Sequence, residues 1–67
     1  MIKFKKITSF VDSTVYQATN GQRTIAFEVT KLGRDKIGYL KRVESTQTGM
    51  FESYKMKEIK KKIVSFF

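Results

Sequence analysis

The sequence predicts an α+β domain: an antiparallel β-meander of three to four strands with a C-terminal amphipathic α-helix packed on one face. Two observations point there. Asn20-Gly21 lies between two segments of alternating apolar residues, which is the strongest short-range hairpin signal. Near the C-terminus the alternation gives way to Met56, Ile59, Ile63 and Phe66, whose spacings of 3, 4 and 3 draw one stripe along a helix.

The segment from Ile2 to Val11 alternates at Ile2 and Phe4, breaks at Lys5-Lys6 and resumes at Ile7, Ser9 and Val11. A strand with a bulge accounts for this change of phase. Phe4, Ile7 and Val11 also fit helical spacing, but β-branched and aromatic content and short length favour the strand.

Asn20-Gly21 as the centre of a type I′ turn pairs Thr19 with Gln22, Ala18 with Arg23, Tyr16 with Ile25 and Thr14 with Phe27. Tyr16, Ala18, Ile25, Phe27 and Val29 then share one apolar face, while Gln17, Thr24, Glu28 and Thr30 point away.

Leu32-Gly33-Arg34-Asp35-Lys36 forms the next break and Ile37–Val43 a third strand. A Gly33-Arg34 turn sets Leu40 beside Phe27, whereas a three-residue Gly33-Arg34-Asp35 loop sets Tyr39 opposite Val29 and Val43 opposite Ile25. The second is preferred because it adds more apolar surface to the buried face. Ser45-Thr46-Gln47-Thr48-Gly49 reads as a polar loop. Ser53 is the expected N-cap of a helix reaching Phe67, with Lys57 and Lys61 opposite its apolar stripe and Lys55, Lys60 and Lys62 beside it.

With no proline, four dispersed glycines and no repeat, nothing divides the 67 residues, so 1–67 is expected to be one small basic domain. Without Cys or His, disulfides, structural zinc and Ser-His or Cys-His nucleophile pairs are excluded. Six carboxylates remain for acid/base work, and their scatter disfavours an enzyme or a cofactor site. No apolar run approaches a membrane span and no secretion signal precedes the domain, so a cytoplasmic location is expected.

Fourteen Lys+Arg against six Asp+Glu give a net charge of +8. Lysine-rich surfaces also serve solubility, for which a net charge of about 2 to 8 in magnitude suffices; +8 is at the top of that range, and opposing charges would normally intersperse more evenly than fourteen against six. Phosphate polyanions, DNA or RNA, are therefore the expected partners, held with little sequence specificity. The candidate contacts are Arg23, Arg34, Lys36, Lys41, Arg42, Lys57 and Lys61, with Lys41 and Arg42 on opposite faces of their strand.

The candidate stacking rings are Phe10, Tyr39, Phe51 and Tyr54, whereas Phe4, Tyr16, Phe27 and Phe66 fit the core by their phase. The sequence carries neither the aromatic-glycine pattern of RRM domains nor the GXXG loop of KH domains. The alternative is a small adaptor or inhibitor, of the phage or host regulator type, docking on an acidic protein surface. Exposed strand edges also make a homodimer an expectation.

Overall fold

The computed structural model describes residues 1–31, 37–48 and 53–67, with backbone only at positions 31 and 53. The chain runs β1 (Lys3–Ser9), β2 (Ser13–Thr19), β3 (Thr24–Lys31), β4 (Ile37–Val43), β5 (Thr46–Gln47), β6 (Ser53–Lys55) and α1 (Met56–Val64). The strands lie in meander order β1-β2-β3-β4-β5, and β6 pairs with β4 as well. Every pairing is antiparallel, and α1 packs on one face of the sheet. The expected meander with a C-terminal helix is therefore present, extended by two short strands.

β1 contains the expected bulge, since its register against β2 shifts between Lys6 and Thr8 and leaves Ile7 as the extra residue. The resumed alternation buries nothing, however. β1 ends at Ser9, the Phe10 N–H donates to the Ser13 carbonyl at 2.7 Å, and the chain turns back at once. Ile7 and Val11 are exposed as a result.

The first hairpin keeps its predicted face but not its predicted register. Thr19 pairs with Thr24, Ala18 with Ile25, Tyr16 with Phe27 and Thr14 with Val29, so the connection is four residues, 20–23, rather than two. A type I′ turn needs positive φ at both central residues, and here only Gly21 has it, at 93°. Asn20 opens the turn instead: its Oδ1 accepts the N–H groups of Gln22 and Arg23 at 2.9 and 2.7 Å. The slip is two residues, an even number, so the buried set survives it.

The β3–β4 register corrects both readings of the third strand. Val29 faces Leu40 and Phe27 faces Val43, with a bulge between them at Lys41, and Tyr39 pairs with Thr30 away from the core. The extra residue lets Leu40 and Val43, three positions apart, both be buried, which no unbroken strand permits. The loops proposed to set this register fall on residues 32–36, outside the described residues.

The polar segment after β4 is not a simple loop. Glu44, with φ of 54°, and Ser45 turn the chain so that Thr46 and Gln47 pair with Val43 and Arg42. Ser53 lies in β6 and is not the helix cap; Lys55 is, and its N–H donates to the Glu58 carboxylate at 3.3 Å. The extended backbone that continues the sheet delays the helix by two residues.

α1 ends at Val64, so Phe66, expected in the core, falls beyond it and is exposed, while Phe67 packs on the core in its place. Helices of nine residues are marginal alone, and burial of Ile59 and Ile63, worth about 1.5–3 kcal/mol each, holds this one in place. These two join Ala18, Ile25, Phe27, Val29, Leu40 and Val43 in the core. Gly38 makes the close approach possible: a Cβ there would come 2.7 Å from Val29 Cγ1 and 3.1 Å from Ile59 Cδ1.

Candidate nucleic-acid interface

A helix about 10 Å across spans roughly two strands spaced about 4.8 Å apart, so a single helix cannot roof four strands. α1 lies over β4 and β6, and its buried stripe reaches β3. The core-side surface of β1 and β2 is therefore only partly covered, and Phe4 and Tyr16 are left half-buried there.

Between these strands and the helix lies a cleft of about 220 Å³. Phe4, Tyr16 and Phe27 line its floor, Met56 and Ile59 its helix wall, and Lys5, Lys6 and Lys60 also border it. Tyr16 and Phe27 are cross-strand partners, stacked with centroids 5.5 Å apart and planes 20° apart. Phe4 meets Phe27 edge-on at 6.2 Å and 87°, so the three rings form a right-angled corner.

The basic groups reach this corner from two elements. Lys6 pairs with Tyr16 and so shares its face of the sheet. Lys60 extends from α1 until its ammonium is 5.4 Å from the Phe4 ring centre. At about 100° per residue, Lys60 lies beside the Ile59–Ile63 stripe, whereas Lys57 and Lys61 lie on the side of α1 turned away from it. No carboxylate lines the cleft among the described residues.

The sequence-predicted contacts are not gathered into one site. Lys57 and Lys61 are exposed on α1 and do not line the cleft. Lys41 and Arg42 lie on the opposite face of the sheet, and both reach it: Arg42 pairs with Glu28, and the Lys41 ammonium is 3.5 Å from the Glu28 carboxylate. The bulge at Lys41 cancels the expected alternation between these two residues. Arg23 closes the β2–β3 turn and donates to the Phe66 carbonyl at 2.6 Å, a structural contact. Arg34 and Lys36 lie outside the described residues, as does Phe51.

On that outer face Glu28 is the centre of a polar cluster. The buried Ser13 hydroxyl donates to its carboxylate at 2.7 Å. That hydrogen bond, against the opposing effect of burial and with help from Lys41 and Arg42, holds the Glu28 carboxyl below its usual range. Among the described residues Lys41–Glu28 is the one ammonium-carboxylate pair within 4 Å. The remaining described lysines are thus not neutralised by carboxylates in contact.

The aromatic assignments shift as well. Phe4 and Tyr16, expected in the core, pack against it half-buried and also line the cleft, whereas Tyr54, expected to be free for stacking, pairs with Gly38 and packs on the core in the same way. Phe10 is exposed at the β1–β2 turn and Tyr39 is half-buried on the outer face. The signal for Phe4 and Tyr16 was the width of the sheet: aromatic rings on the two strands farthest from a single helix must stay partly open.

The described residues contain no group of three or more His, Cys, Asp or Glu placed to hold a metal ion. They also contain no helix long and apolar enough to cross a membrane. Comparison with known protein families, curated proteins and solved structures gives no match.

Proposed function

We propose that the chain is a small, non-catalytic nucleic-acid-binding protein that holds phosphates through Lys and Arg with low sequence specificity. The supporting observation is the one-signed charge of this surface: Lys6 and Lys60 border the cleft, Lys57 and Lys61 are exposed elsewhere on α1, and no acidic residue lines the cleft among the described residues. All four are lysines. An ammonium is a point charge that attracts phosphate without the forked geometry by which arginine reads guanine. Phosphate contacts of this kind fix position and carry no sequence information.

Binding then proceeds by counterion release, and four such contacts on a single strand give a log-log salt slope of roughly −3. Fluorescence anisotropy with labelled DNA and RNA at several salt concentrations tests the reading. Alanine at Lys57 and Lys61 is expected to weaken binding to unrelated sequences alike and to flatten the slope. Absence of binding at low salt, with an acidic protein retained on the immobilised chain after nuclease treatment, replaces this reading with the protein-docking one.

A further inference from the structure

We infer that the Phe4–Tyr16 corner is a base-stacking site, so that the ligand is single-stranded nucleic acid with unpaired bases rather than a duplex. The inference rests on the nucleic-acid reading above and specifies its substrate class. Three observations carry it.

The first is the shape of the cleft. At about 220 Å³ it falls below the roughly 300–1,000 Å³ of pockets that enclose drug-sized ligands, which suits one flat ring rather than a whole cofactor. One ring stacked on Tyr16 would meet the Phe4 ring at the right angle that Phe4 already makes with Phe27. Such offset-stacked and edge-to-face contacts are the favoured aromatic geometries. A base held in a duplex is stacked above and below and cannot enter a recess between a sheet and a helix.

The second is the occupant already there. The Lys60 ammonium lies over the Phe4 ring, 5.4 Å from its centre, so an exposed side chain rather than a core residue stands over that half-buried ring. At a solvent-exposed site this contact is weak, and a neutral base can replace it. The displaced ammonium stays within reach of the phosphate that follows the base. Lys60 is thus a placeholder in the free protein and a phosphate ligand in the complex.

The third is charge complementarity. Lys6 pairs with Tyr16 on the sheet and Lys60 reaches in from the helix, with no acidic lining residue among the described residues. A base on the floor therefore leaves its backbone between two ammonium groups, the combination of aromatic platform and basic channel that single-strand binders use.

The test uses three labelled probes of equal length: oligo-dT, the same backbone with abasic sites throughout, and a duplex. Binding of each is measured by anisotropy to the native chain and to Phe4→Leu and Tyr16→Leu, which keep apolar bulk but remove the π face. Circular dichroism and thermal melting establish that both variants fold, and Phe4→Tyr provides a variant that retains the ring. The expected result is tighter binding of oligo-dT than of either other probe. Leucine variants should lose roughly 5- to 100-fold for oligo-dT and little for the abasic strand, while Phe4→Tyr keeps its affinity. Equal affinity for oligo-dT and the abasic strand, or equal losses for all three probes, overturns the stacking site while leaving phosphate binding intact. No binding of any probe overturns both.

Discussion

The Lys60 ammonium stands 5.4 Å from the centre of the Phe4 ring and so links the C-terminal helix to the sheet's edge strand across the cleft. Because both groups border open solvent, this link contributes little to folding. Lys60→Ala is expected to change stability by less than about 1 kcal/mol. It should also weaken binding to single-stranded oligonucleotide and reduce the salt slope by about 0.7. Chemical denaturation beside anisotropy separates the two effects, and a large stability loss without an affinity change would show that Lys60 is structural.

Gly38 lies beneath the helix, where added volume has nowhere to go. Gly38→Ala is expected to destabilise the fold by about 1–3 kcal/mol, because its methyl would sit 2.7 Å from Val29 Cγ1. Combining it with Val29→Ala should cost less than the sum of the two single changes, since the second removes the obstructing atom. Urea denaturation of the four proteins in this cycle measures the coupling, and strict additivity would contradict the packing described.

The Ser13–Glu28 hydrogen bond gives stability an acid-sensitive component. Glu28 has its carboxyl lowered on folding, chiefly by the Ser13 hydroxyl, so its contribution is complete above the ordinary carboxylate range. It is lost as pH falls through the folded value. Ser13→Ala should cost about 1–3 kcal/mol near pH 7, and the difference from the native chain should shrink at acid pH where Glu28 is protonated. Denaturation curves across pH 3 to 7, on the order of one per pH unit, decide it; a difference independent of pH would remove Glu28 from the account.

Arg23 separates the site read from the sequence from the one found in the fold. Its guanidinium donates to the Phe66 carbonyl and joins the chain's C-terminal turn to the first hairpin. Arg23→Ala should therefore speed amide exchange at residues 65–67 and cost about 0.5–1.5 kcal/mol. Oligonucleotide affinity should fall less than in Lys60→Ala, because Arg23 does not border the aromatic cleft.

The elements that depend on side-chain period were legible in the sequence. The Tyr16, Ala18, Ile25, Phe27 and Val29 face, the strand with a bulge at the N-terminus and the Met56–Ile59–Ile63 stripe follow from apolar spacing alone. Register was not legible, because it depends on single local events. The Asn20 side chain capped the turn rather than sitting at its centre, and an extra residue at Lys41 reset β4. The candidate site was less legible still. Lys41 and Arg42 were separated from Lys57 and Lys61 by the thickness of the sheet, a relation that no linear spacing encodes. Phe4 and Tyr16 had the correct phase for burial, but whether a phased residue is covered depends on how far the helix extends sideways.

Among the described residues no strand lies beyond β1, and that border carries Lys3, Lys5 and Lys6 together with a bulge at Ile7. Such a margin repels a like-charged copy and breaks the straight run of donors and acceptors that a neighbouring strand would need. On the nucleic-acid reading proposed above, adjacent molecules would share one polymer without zipping into a continuous ribbon, and dilution would release them one by one.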